Sequence, residues 1–78
     1  MQKQKEATAT NEVSYGEKLV RTKFNPNDDS TVQHIKERAA ELINYINDNV
    51  ADGRHKSLSI TRIEEGAMWG VKAATANM

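Results

Sequence analysis

Apolar residues recur at intervals of three and four through the middle of the chain. The series is Val32, Ile35, Ala39, Leu42, Ile46 and Val50, reinforced by Ile43. This spacing places them on one face of a helix, and we predict a helix over residues 30–51. Ser30 and Gln33 have the spacing of a capping box at its start. Asp52-Gly53 is the expected stop, since glycine readily takes a left-handed conformation at a helix C-terminus.

A second stripe follows directly. It consists of Ile60, Ile63, Ala67, Val71 and Ala74, flanked by Leu58 and Met68. The pattern predicts a second helix over residues 54–76. Two long helices joined by a tight turn form a helical hairpin, so the predicted fold class is all-α.

The N-terminal third lacks such periodicity. Residues 1–12 are polar, which is typical of a disordered segment. Residues 13–25 mix β-formers with charged residues, and we predict an extended N-terminal arm that lies on the helices. Residues 13–78 are therefore expected to form a single domain.

The length of the chain indicates an oligomer. With 78 residues and no cysteine, it has a small core and no disulfide to reinforce it. Trp69 and Met68 lie beside the second stripe, and small residues at Gly66, Ala67 and Gly70 would let another helix approach closely. We predict that these five residues form the subunit interface of a symmetric oligomer.

The charge pattern narrows the range of partners. Eleven basic and eleven acidic residues give a formal net charge of zero, which argues against a protein that binds DNA or RNA polymers. No apolar run approaches the roughly 18 residues of a membrane span, and the N-terminus lacks the hydrophobic stretch of a signal peptide. We expect a soluble cytosolic protein with no membrane partner. Basic ends around an acidic middle suit subunit packing or a small anionic ligand.

Catalytic and metal-binding patterns are weak. His34 and Glu37 are three residues apart and could share a metal, but a solvated helix face explains them as well. His55 lies at the predicted start of the second helix, where a surface role is expected. Glu64 and Glu65 are adjacent, so they point in different directions on a helix and do not form a pair. No phosphate loop, nucleophile elbow or zinc motif occurs. We expect no enzyme activity, no metal and no cofactor.

An aromatic and basic segment offers a candidate binding site. Tyr15 and Phe24 are close in sequence to three basic residues, Lys18, Arg21 and Lys23. An aromatic ring beside cations can stack on a base while the cations neutralise a phosphate. For Phe24, packing in the protein core is the alternative interpretation.

Two stretches resemble a known family. Residues 24–44 and 56–76 are similar to small phage anti-CBASS and Thoeris anti-defence proteins, which sequester cyclic-nucleotide immune signals. The family reads roughly Ser-Leu-Ala, Thr-Lys, Glu-Glu-Ala and Met-Trp-Ala. The corresponding residues here are Ser57-Leu58-Ser59, Thr61-Arg62, Glu64-Glu65-Gly66 and Met68-Trp69-Gly70.

The resemblance implies a helical sponge with a particular ligand site. Family members assemble, typically as hexamers, and bind cyclic dinucleotides between subunits without cleaving them. Some hold cyclic trinucleotides at separate sites, and others take cyclic ADP-ribose isomers. By position, Phe24 would stack on a base and Lys36 would meet a phosphate. Tyr15 is expected to supply the hydroxyl that Phe24 lacks.

Further residues belong to the expected ligand set. Thr61 and Arg62 match a recurrent pair in the second helix of the family, and they are expected to hydrogen-bond or ion-pair with the ligand. Asn25 and Asn27 have side chains that can read base edges, with capping and turn formation as the alternative.

The expected function is sequestration of cyclic di- or trinucleotide messengers in the cytoplasm of an infected bacterial host, which would block CBASS-type effectors. One alternative is a sponge for the cyclic ADP-ribose signals of Thoeris. The other is a helical oligomerisation module that binds no small ligand.

Overall fold

A hairpin of two long helices, with a short third helix packed against it, forms the protein. The computed structural model describes residues 13–25 and 28–76. The helices are α1 (Tyr15–Val20), α2 (Ser30–Asn49) and α3 (Arg54–Ala74). The predicted all-α hairpin is confirmed, and both long helices end two residues earlier than expected. The predicted disorder of residues 1–12 lies outside the described residues.

The ends of α2 differ from the prediction in their capping residues. Asp29, not Ser30, caps the N-terminus, and its carboxylate accepts hydrogen bonds from the amides of Thr31 and Val32 at 2.8 and 3.1 Å. A carboxylate there also interacts favourably with the helix dipole, which a serine hydroxyl cannot match. At the other end the chain leaves the helix through extended Val50, and Gly53 instead caps the start of α3.

The segment predicted as an extended arm contains α1. Ser14 caps this helix through a reciprocal capping box with Glu17, with bonds of 3.1 and 2.9 Å. Six residues are too few to be helical alone, so packing on α2 must hold them. α1 stops at Arg21, which takes a left-handed conformation with φ 58°. The extended interpretation was wrong because the capping box outweighs the β-forming residues.

The core lies where the three helices meet. It contains Val20, Ala40, Ile43, Ile60 and Ala67, and Ile43 is completely buried. On α2 the buried positions are Val32, Lys36, Ala40 and Ile43, a face rotated from the predicted stripe. Of the predicted stripe, Leu42 and Val50 are exposed, whereas Ile35, Ala39 and Ile46 are partly buried against the core. The face shifted because α1 and α3 approach α2 from two sides.

Among the described residues, none of the helices combines the length and apolarity that crossing a bilayer requires.

Candidate functional site

The loop after α1 is held to α2 by a buried lysine. Lys36 lies in the second turn of α2, only 6% exposed. Its Nζ donates to the carbonyl of Arg21 at 3.1 Å and to the carbonyl of Phe24. One ammonium therefore fixes both ends of the segment 21–24.

Phe24 is exposed on that loop, with cations on its ring. More than half of the residue, 55%, is accessible to solvent. The guanidinium carbon of Arg21 lies 4.5 Å from the ring centroid, and the Nζ of Lys36 lies 5.4 Å from it. These are cation–π distances. Phe24 and Lys36, both expected to contact the ligand, lie beside each other, and the exposure of Phe24 contradicts the alternative of core packing.

The electrostatics of this cluster favour anions. Burial is the main factor that lowers the pKa of Lys36, and the positive charge of Arg21 lowers it further. Two cations so close together repel each other, which an anionic ligand would relieve. The space beside Arg21 and Lys36 is therefore chemically suited to a phosphate.

The Phe24 cavity, as we call the space beside this ring, has a volume of about 660 Å³ and is open to solvent. A volume of this order is typical of sites for small ligands. Its floor is apolar, and carboxylates stand on the α3 side. The lining residues are Leu19, Val20, Arg21, Phe24, Lys36, Thr61, Glu64, Glu65, Ala67, Met68 and Val71.

The other expected ligand residues are distributed differently. Thr61 lines the Phe24 cavity, but Tyr15 lines a separate cavity of about 410 Å³ near the hairpin turn, which Thr61 also borders. Tyr15 is thus not positioned to supply the hydroxyl that Phe24 lacks. Arg62 lines neither cavity and pairs with Glu65 at 3.1 Å on the exposed face of α3.

The side chain of Asn25 stabilises the loop that precedes α2. Its Oδ1 accepts from the amide of Asp29 at 3.1 Å, and its Nδ2 donates to the Asp29 carbonyl at 3.0 Å. Nδ2 also reaches Gln33 at 3.3 Å. With both polar atoms engaged, the side chain favours the turn-forming interpretation over the reading of base edges. Asn27 lies outside the described residues.

The predicted interface residues divide into two groups. Trp69 and Met68 are more than half exposed, at 56% and 59%, and Gly66 faces open space. Ala67 is buried in the chain's own core, so its assignment to the subunit interface was wrong. Gly70 faces Ile35 of α2, where an added Cβ would lie 3.5 Å from the Ile35 Cγ2. The approach predicted at Gly70 thus occurs within the hairpin.

Sequence reasoning did not single out Arg21 as a site residue. It was one of three cations near the aromatic residues, and spacing alone could not separate them. In the structure, the chain turns at Arg21 in a left-handed conformation, and the Arg21 guanidinium lies over the Phe24 ring. No group of three or more His, Cys, Asp or Glu side chains suited to a metal occurs within residues 13–25 and 28–76.

Comparison with known proteins assigns the fold to a family. A family model described as Acb2/Tad1, hairpin domain, matches residues 17–75, well over half of the chain. The matched region includes α2, α3 and every residue that lines the Phe24 cavity. Comparisons with curated proteins and with solved structures gave no match. The chain belongs to the Acb2/Tad1 hairpin-domain family of phage anti-CBASS and anti-Thoeris sponge proteins.

Proposed function

We propose that this protein binds cyclic di- or trinucleotides in the Phe24 cavity and holds them intact, so that CBASS-type effectors in the cytoplasm of the infected host are not activated. The observation that carries the proposal is the exposed Phe24 ring, with two cations on it, at the edge of an open cavity. Members of the family are sponges, not enzymes.

The chemistry of the cavity matches that of the ligand. A cyclic dinucleotide offers flat bases and negatively charged phosphodiesters. Stacking of a base on an aromatic ring is worth about 1–3 kcal/mol. Phosphates belong at the cationic end, near Arg21 and Lys36, while Thr61 supplies a hydroxyl on the opposite wall.

Assembly would complete the site. We propose a hexamer in which Trp69, Met68 and Gly66 contact a neighbouring subunit. A two-fold interface would present the same groups to both halves of a cyclic dinucleotide. Arg62 and Tyr15, which lie outside the Phe24 cavity of their own chain, would reach the ligand only from a neighbouring subunit.

Calorimetry and native mass spectrometry against a panel of cyclic dinucleotides, cyclic trinucleotides and cyclic ADP-ribose isomers test the proposal. We expect micromolar or tighter binding of at least one cyclic oligonucleotide, and recovery of the intact nucleotide after the loaded protein is digested. Binding of cyclic ADP-ribose isomers alone would instead favour the Thoeris alternative. No binding at all would leave the oligomerisation module, and cleaved product would indicate an enzyme.

Phe24→Ala locates the site. Loss of one stacked base should weaken binding about 5- to 150-fold, the equivalent of 1–3 kcal/mol. Tyr45→Ala is the matched control, because Tyr45 is an exposed aromatic that lines neither cavity. Equal losses in both variants would place the ligand elsewhere.

A further inference from the structure

Arg21 and Lys36 differ in their exposure to solvent. The side chain of Lys36 is buried, and its ammonium already has two backbone acceptors. Arg21 is exposed and lines the Phe24 cavity, and no carboxylate of the described residues forms an ion pair with it. A phosphate entering the cavity meets an exposed guanidinium, beside a buried ammonium that already has two of its three donors engaged.

The backbone at Arg21 strengthens the distinction. Its left-handed conformation, φ 58° and ψ 53°, is one that glycine or asparagine usually supplies at a helix end. An arginine persists there only when surrounding contacts hold it, and the Lys36 bonds to the carbonyls of Arg21 and Phe24 are such contacts. The result is an exposed guanidinium whose central carbon lies 4.5 Å from the centroid of the Phe24 ring.

We propose that Arg21 is the cation that binds the phosphodiester of the ligand, and that Lys36 is a positioning residue that holds Arg21 and Phe24 in place through their carbonyls. This inference rests on the proposed function for its ligand, a base-bearing phosphodiester. A guanidinium suits it, because its planar set of donors can bind a phosphate through two hydrogen bonds while its face stacks on a ring.

The opposite wall of the cavity sets the orientation. Glu64 and Glu65 line the α3 side, and Glu65 is bound to Arg62. Carboxylates repel a phosphate but accept hydrogen bonds from the amino edges of bases. The ligand therefore places its phosphodiester toward Arg21 and its base edges toward α3.

The test measures the affinity for 3′,3′-cyclic GMP–AMP, which carries two purines and two phosphodiesters, at low and high salt. An ion contact with phosphate is weakened by salt, whereas positioning through backbone carbonyls is not. Arg21→Gln should lose about tenfold or more in affinity, and most of the salt dependence with it. Arg21→Lys should recover part of both. Lys36→Gln should weaken binding but retain the salt dependence.

Lys23→Gln is the matched control, because Lys23 is an exposed cation on the same loop that does not line the cavity. It should leave affinity nearly unchanged. If Lys36→Gln abolishes the salt dependence and Arg21→Gln preserves it, the roles are reversed and the inference is overturned. An equal effect of Lys23→Gln and Arg21→Gln would overturn it as well, by showing only general electrostatic attraction.

The positioning role has a readout that needs no ligand. In the free protein, Lys36→Met should shift the carbonyl ¹³C resonances of Arg21 and Phe24, since both lose a donor. Arg21→Gln should leave the Phe24 carbonyl resonance near its original position. Unchanged carbonyl resonances in Lys36→Met would refute the positioning role. If the wild type bound no nucleotide while these shifts occurred, the proposed function would fail and the loop geometry would stand.

Discussion

At the scale of single residues, the most constrained position is Gly16. A Cβ there would come within 2.9 Å of the Cα and carbonyl carbon of Ala40, so α1 rests directly on the backbone of α2. The amide of Gly16 also donates to the side chain of Asn44 at 2.8 Å, and Asn44 donates to Ser14 at 3.0 Å. Glycine at this point sets how closely the short helix approaches.

Replacing Gly16 with alanine should therefore destabilise the protein. The added methyl group meets backbone, which cannot move aside as a flexible side chain can, and overpacking of this kind costs about 1–3 kcal/mol. The measurement is urea denaturation at a fixed protein concentration, because the proposed assembly would make stability depend on concentration. Gly70→Ala is the control, since its Cβ would make ordinary contact with Ile35. Equal stability of the two variants would contradict the close approach.

At the scale of elements, the long helices could be predicted from the sequence and the short one could not. Stripes of apolar residues define α2 and α3, because each repeats over several turns. α1 has only six residues: the capping box of Ser14 and Glu17 marks its start, but its stability depends on contacts with α2 that the local sequence does not show. The same limit applies to the site. Phe24 and Lys36 could be paired through the family resemblance, but the role of Arg21 depends on where the chain turns back.

The hairpin turn is held by a polar clamp. Lys56 donates to the carbonyl of Asn47 and to the carboxylate of Asp52, both at 2.9 Å. The hydrogen bond from Lys56, followed by its positive charge, lowers the pKa of Asp52. A carboxyl group whose pKa is lowered on folding stabilises the folded state above its unfolded pKa of about 3.9. That contribution is lost as the pH falls through the lowered value.

Lys56→Met should return the pKa of Asp52 toward its ordinary value, because both causes of the shift come from Lys56. Titration of the Asp52 carboxyl carbon by NMR measures this directly, and we expect its midpoint to rise. Lys72→Met removes a cation from α3 that makes no ion pair with Asp52, and it should not move the midpoint. A midpoint unaffected by Lys56→Met would mean that the clamp does not form in solution.

At the scale of the whole molecule, a single chain covers its apolar surface poorly. Its Cα atoms span about 45 × 31 × 12 Å, so the hairpin is a slab only about one helix layer thick. Large hydrophobic side chains remain exposed on both long helices, including Leu42, Tyr45, Met68 and Trp69. Exposed apolar groups of this size commonly mark interaction surfaces, and small domains gain stability from them by assembling.

We expect Trp69→Ala to dissociate the proposed oligomer. Trp69 is the largest of these side chains, and aromatic anchors of this kind contribute about 2 kcal/mol or more to an interface. Sedimentation velocity over a concentration series should show the wild type as an oligomer and the variant as smaller species. Tyr45→Ala, which removes an exposed aromatic residue from α2, should keep the wild-type mass. If Tyr45→Ala dissociates the protein and Trp69→Ala does not, the subunits meet through α2, and the proposed interface on α3 is incorrect.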